Sequence, residues 1–424
     1  MRGGRRGSIG RRPASVGRGT PKGTPIMRRG VTISAAAGAV GLAVLSSLGG
    51  GLAAAAGPGG VPHRAAARVP AAELAKLRKV VAGAEAVPSF HAPGPPVSAK
   101  VLKGKSALVM PINSEIDTCE HQAESFKSLG QSLGMSVTLF NDSGDPTQWI
   151  TGITDATSAR DNALVMLCGI IPGAVAPQLT AAERAGVKVV DGNYNEVPRS
   201  QYKLLDGENG VQVQAGMVDD VAQALLNLKG APLHALLVTT SSIVQGPASI
   251  RATTSAIKRD CGNVCTLDEV INVPIQNWAT QTQGDVAAAL EAHKDVNAVF
   301  VAFDGMTTFV QPAIESSHRS GLKIYTWGGS ASVEKLMLHK GSLVAADPAP
   351  DETWDAYEAM DQVIRLLSGK PAAPISREVL PNRLWVPSNV KAFFGPGLTY
   401  GNEGYGGNAF VNGFRKLWGL KAVS

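Results

Sequence analysis

Several apolar runs in this 424-residue chain end on residues able to grip a ligand: "VKVVDGN" on Asp191, "AVFVAFDG" on Asp304 and "KIYTWGG" on Trp327. A carboxylate buried without a partner is costly, so Asp191 must meet a helix N-terminus, a cation or a ligand hydroxyl. From position alone, capping of the next segment and ligand binding are equal readings of Asp191. Covalent chemistry has less support. "KGKS" at 103–106 leads into a strand and lacks the earlier glycine of a phosphate loop, which must follow a strand and open a helix. No GxGxxG opens the first strand–helix unit, no HExxH or GxSxG occurs, and the seven histidines are scattered. Nothing places two carboxylates at the separation glycoside hydrolysis needs. The expected chemistry is reversible binding, with no enzyme activity and no cofactor.

Cys119, Cys168, Cys261 and Cys265 allow three pairings. Cys261 and Cys265 enclose only "GNV", close enough for a small local loop, which favours that pair with Cys119–Cys168 as the second. The spacing is not CxxC and no histidine lies at ligand distance from either pair, so no metal is expected. Disulfides suit an exported protein.

The leader agrees. Residues 27–30 ("MRRG"), an apolar stretch at 31–56 and small residues near Ala54 to Ala56 form the three parts of an export signal. Its Gly, Ala and Ser content favours cleavage over a membrane anchor. The paired arginines leave the export route open, and no cysteine follows to carry a lipid. Residues 1–26 read as an over-extended start ahead of Met27. The formal charge of +6 belongs to this leader: nine of the 40 Lys and Arg and none of the 34 acids fall in residues 1–56, which leaves 31 basic against 34 acidic residues. Nucleic acid is therefore not an expected partner.

The elements that must position the ligand-gripping residues follow from alternating β-branched runs and amphipathic stretches. Strands are expected at 106–112, 135–140, 163–168, 187–191, 233–239, 268–273, 297–303, 323–327 and 342–346. Between the first two, Cys119, Ala123, Phe126, Leu129 and Leu133 step by four and three along one helix face. Nearly continuous apolar strands with such helices imply parallel sheets covered on both faces, and nine units overfill one open sheet. The expected fold is α/β, with two doubly wound lobes. Ligands in such sheets sit beyond the carboxyl ends of the strands, where Asp191 lies. Residues 57–105, rich in Ala, Pro and Gly, read as a tether with one short helix at 71–84.

The order of motifs resembles the periplasmic sugar-binding proteins of ABC transporters, the ribose-binding type. "NDSGDPTQWI", "GAVAPQLTAAERAGVKVV", "ENGVQVQAGMVDDVAQALL" and "EAHKDVNAVFVAFDGMTTFVQPAIESS" carry the similarity, which runs from Ser106 to Val386. The resemblance implies a type 1 periplasmic binding fold whose lobes are joined by a three-strand hinge and close on a sugar. The implied boundaries are 106–205 plus 348–376 for the N-terminal lobe and 206–347 plus 377–391 for the C-terminal lobe. Residues 392–424 lie beyond the family pattern and are expected to pack on a lobe. Carried over by motif, Asn113 would hydrogen-bond the ligand, Asp191 would accept from sugar hydroxyls, Arg251 would donate from the second lobe, and Trp278 would stack on the ring. Asp304 would sit beside the family's polar ligand. Each has a plainer reading: Asn113 as a helix cap, Arg251 as a solvated helix residue, Trp278 as a core aromatic.

The departures bear on the ligand. The first loop, "NSEIDTC", carries Glu115 and Asp117 in place of paired aromatics. Phe303 stands where a polar side chain is usual, "WGG" brings Trp327 and Gly328, and Ala346 leaves Asp347 as the nearest polar group in "VAADPAP". Glu115, Asp117 and Asp347 would make the cleft acidic and suit an amino-containing or cationic solute, unless they face solvent. The expected partners are a small molecule, a sugar first, and an ABC permease, with the chain acting as a monomer. A sensory receptor of the same fold is the alternative. A related transcription regulator would need an N-terminal helix-turn-helix, which residues 1–100 do not show.

Overall fold

Leu74, Leu77 and Val81 step by three and four along the first helix, Ala71–Ala84 (α1), and all three are buried. The computed structural model describes residues 67–192, 211–243, 245–374, 377 and 380–423. The expected export signal lies outside the described residues, as does the expected first lobe crossing after residue 192. The tether reading of 57–105 is corrected over its described part. Val69 N–H donates to Gly230 O (2.9 Å) and Val97 N–H to Leu417 O (3.0 Å). Phe90 packs edge-on against Phe414 with ring centroids 4.9 Å apart. The Ala, Pro and Gly content masks an apolar stripe that has surface to cover.

The N-terminal lobe is a four-stranded parallel sheet, with Ser106–Pro111 (β1), Ser136–Leu139 (β2), Ala163–Leu167 (β3) and Lys188–Asp191 (β4) in the order β2-β1-β3-β4. Its connecting helices are Asp117–Ser132 (α2), Pro146–Ala159 (α3) and Ala176–Arg184 (α4). Asp145 starts α3 by accepting from Thr147 N–H (2.8 Å), with Pro146 pre-set in the first turn. Ala107, Val109, Ala163 and Val165 pack in one core and Leu108, Met110, Leu164 and Met166 in another. That alternation places successive side chains on opposite faces of a sheet covered on both sides, which is why the strands read as unbroken apolar runs.

The C-terminal lobe runs from Val211–Asn227 (α5) through His234–Thr239 (β5), Gln245–Cys261 (α6), Thr266–Asn272 (β6), Trp278–Ala292 (α7) and Ala298–Val301 (β7). It continues with Thr307–Ser316 (α8), Lys323–Thr326 (β8), Ala331–Met337 (α9) and Val344–Ala349 (β9). Asp351 then caps Glu352–Leu367 (α10), accepting from Thr353 and Trp354 N–H, and α10 packs back on α2 and β4. Arg383–Trp385 (β10) returns to pair antiparallel with β9, completing a six-stranded sheet in the order β10-β9-β8-β7-β5-β6. The fold is therefore two α/β lobes, each built on a largely parallel sheet.

Beyond residue 392, Asn408–Leu417 (α11) lays Phe410 and Phe414 against the N-terminal lobe, with Trp354 stacked on Phe410 at 4.6 Å. The Trp418 indole N–H donates to Asp361 (2.7 Å), whose other oxygen accepts from Arg365 (2.6 Å). Both expected disulfides are present, Cys119–Cys168 and Cys261–Cys265.

Candidate functional site

The loops that leave β1, β3, β5, β6, β7 and β8 at their carboxyl ends meet between the lobes and line a cavity of about 60 Å³, several times what one water needs. From the N-terminal lobe come Ile112, Ile116, Thr118 and the Cys119–Cys168 bridge. The C-terminal lobe contributes Ile243, Gln245, Ile275, Trp278, Phe303, Asp304 and Trp327, and Glu352 enters at the start of α10. Cys168 and Gly169 both take positive φ, 61° and 88°, turning the chain sharply as it leaves β3.

The walls touch. A Cβ added to Gly169 would lie 2.8 Å from Gln245 Nε2 on the other lobe, which shows how closely the lobes approach at a position whose φ of 88° favours glycine. At Gly305 a Cβ would sit 3.4 Å from Trp278 and 3.8 Å from Ile116, again one contact from each lobe. Ser332 N–H in α9 donates to Asp117 Oδ2 at the start of α2 (3.1 Å). Tyr400 bridges the same seam: its ring stacks on His121 of α2 at 3.8 Å, and its hydroxyl accepts from Ala331 N–H (3.2 Å).

Trp278, Asp304 and Trp327, expected from sequence, are brought together in the cavity. Trp278 is held by donation to Val273 O (3.1 Å), and its ring lies nearly parallel to Phe303, with centroids 6.3 Å apart. Asp304 is 2% exposed and accepts from both the amide and the hydroxyl of Ser330. A Cβ at Gly328 would collide with that carboxylate. The other expected residues lie elsewhere. Asn113 Oδ1 accepts from Glu115 N–H (2.8 Å), the helix-entry turn of its plainer reading. Glu115 is exposed, and Asp117 holds the lobe seam. Asp191 is fully buried at the end of β4, with neither oxygen hydrogen-bonded among the described residues, and it does not line the cavity. Asp347 is buried on β9 and accepts from Gly329 N–H (3.4 Å). Arg251 is exposed in a surface groove between α5 and α6. It follows Gln245 by six residues, about 9 Å along α6 and about two-thirds of a turn around it, so it cannot share the face that meets the cavity.

Electrostatically the site is one-sided. Burial pushes Asp304 up to about 7. Glu352, Asp347 and Glu334 are pushed well above the carboxylate range, by burial first and then by one another or by neighbouring carboxylates. Among the described residues lining the cavity none is Lys, Arg or His. No described group of three or more His, Cys, Asp or Glu has the arrangement of a metal site.

The sequence matches no family model and no curated protein. Solved structures do match. The 5-methylthioribose transporter solute-binding protein of Thermotoga lettingae, in complex with 5-methylthioribose, superimposes with TM-score 0.63 at 16% identity, over 76% of this chain and 99% of that one. A sugar ABC transporter protein of Yersinia enterocolitica gives 0.61 at 15% identity, over 78% and 99%. An ABC transporter solute-binding protein of Agrobacterium vitis with bound allitol gives 0.58 at 17% identity, over 68% and 98%. The fold is that of the type 1 periplasmic binding proteins, the sugar-binding proteins of ABC transporters.

Proposed function

We propose that the chain is an extracytoplasmic solute-binding protein that closes its two lobes on a small polar molecule and delivers it to an ABC permease. The observation that carries this reading is the cavity between the lobes, where aromatic faces and two carboxylates converge with the seam drawn shut around them. The structural neighbours whose descriptions name a ligand hold a pentose derivative or a polyol, which makes a sugar-sized solute the first class to test. Export fits the two disulfides, and no described helix is long and apolar enough to cross a membrane. Binding and release without chemistry fits the fold the chain shares with solute-binding proteins.

The test is a thermal-shift screen of the purified protein against sugars, polyols, amino sugars and amino acids. A ligand at a hundred times its dissociation constant adds about 2.7 kcal/mol of stability. Trp278→Ala and Asp304→Ala are expected to abolish the shift, whereas Arg251→Ala is expected to leave it unchanged. If no solute in the panel shifts the transition, the reading fails.

A further inference from the structure

The residues lining the cavity match a cation better than a neutral sugar. A sugar hydroxyl both donates and accepts, and binding sites for it ordinarily mix carboxylates with Arg, Lys or amide donors. Here the lining offers two carboxylates, Asp304 and Glu352, and no described basic side chain, with Gln245 and Thr118 as the remaining polar groups. A neutral polyol buried here would find as side-chain donors only the Gln245 amide and the Thr118 hydroxyl besides the carboxyls and indoles.

Three rings make up one side. Trp278 and Phe303 lie nearly parallel, and Trp327 meets Phe303 edge-on at 82° with centroids 6.1 Å apart. Aromatic faces carry negative quadrupole charge and attract ammonium groups. The carboxylates come from opposite lobes, so a positive group between them would be gripped only when the lobes are shut. Asp304 already has both oxygens engaged by Ser330. Glu352 is 7% exposed and its Oε2 has no hydrogen-bond partner. Behind Asp304, Glu334 is fully buried with neither oxygen bonded. Burial drives these carboxyls toward their protonated form in the unliganded protein, and since the lining offers no basic side chain, a cation entering the cavity would be the group that lets them ionise.

We infer that the cleft selects a small organic ammonium ion, its charged nitrogen held between Glu352, Asp304 and the rings of Trp278, Phe303 and Trp327, and its apolar body against the isoleucines and the Cys119–Cys168 bridge. This rests on the solute-binding reading and narrows its ligand class.

The test uses pairs of solutes matched in shape and differing in charge: choline against 3,3-dimethylbutan-1-ol and glucosamine against glucose, titrated calorimetrically into the purified protein. The cationic member of at least one pair is expected to bind at least tenfold more tightly than its neutral counterpart. Glu352→Gln keeps the shape and removes the charge. It is expected to weaken the cation at least tenfold while the melting temperature of the unliganded variant stays level or rises, a combination that a merely structural residue would not give. If the neutral members, or other neutral sugars and polyols, bind as tightly as the cations or more so, the ammonium inference is overturned and the solute-binding reading stands. If neither charged nor neutral solutes bind, both fail.

Discussion

The two disulfides enclose very different loops, and their removal should separate stability from binding. Cys119 and Cys168 are 49 residues apart in sequence and Cys261 and Cys265 only 4. Taking the bridge as a constraint on the unfolded chain, the closed loops of about 50 and about 5 residues give roughly 4 and roughly 2 kcal/mol. The double variant Cys119→Ala with Cys168→Ala should therefore lose about twice as much stability in urea as Cys261→Ala with Cys265→Ala. Binding should divide more sharply. The first bridge lines the cavity and ties the start of α2 to the turn after β3. The second lies at the far end of α6, whose seventeen residues from Gln245 to Cys261 span about 24 Å. Loss of the first bridge is expected to weaken a confirmed ligand at least tenfold, and loss of the second to leave affinity within about twofold. Equal stability losses would refute the loop-entropy argument. Equal affinity losses would refute the placement of the site.

Two further outcomes follow from buried groups. Burial raises Asp304 and Asp351 to about 7 and Asp355 to about 8, so the folded state holds protons that the unfolded chain has released above its ordinary carboxylate range. Stability from these groups is complete at acid pH and lost as pH rises through 7 to 8, each contributing on the order of 1 kcal/mol between pH 6.5 and 8.5. His121, lowered to about 4 by burial, acts in the opposite direction only below about 6.5. The melting temperature of unliganded protein should fall from pH 6.5 to 8.5, and a rise over that window would contradict the assigned burial. Separately, Trp418→Ala removes a ring 1% exposed and the donor to Asp361, and should cost about 4 kcal/mol in urea unfolding without changing ligand affinity. A loss under 1 kcal/mol would mean that the C-terminal helix is only loosely attached.

The fold was readable because sheets covered on both faces turn strands into apolar runs, and each of the nine expected strands corresponds to an observed one. The misreadings have local causes. The last expected strand, 342–346, is observed as Val344–Ala349, where Asp347 and Pro348 pair with Trp385 and Leu384 of β10. β10 itself is three residues long, too short for any period to show. The helix expected at 71–84 is α1, and what the Ala- and Pro-rich composition hides is that its apolar stripe packs against α5.

The candidate site is legible only where chemistry and position coincide. Trp278, Asp304 and Trp327 stand at strand or helix ends with side chains unusual for a core, and those three line the cavity. Arg251 and Asn113 are placed by motif, and a motif fixes the element without fixing the face: about two-thirds of a turn around α6 from Gln245, the arginine faces solvent. The apolar part of the wall could not be told from core at all, because Ile112, Ile243 and Ile275 are each 6% exposed or less, as a core isoleucine would be. Glu352 had a signal in "PDETWD", where an acid follows a helix-capping Asp351 just past the last strand of the lobe. The acidic residues that drew attention instead, Glu115 and Asp117, are held in an exposed turn and in the seam. Charge in a sequence shows how many acids a loop holds, and only the closed lobes show that Asp304 and Glu352, and not Glu115, line the cavity.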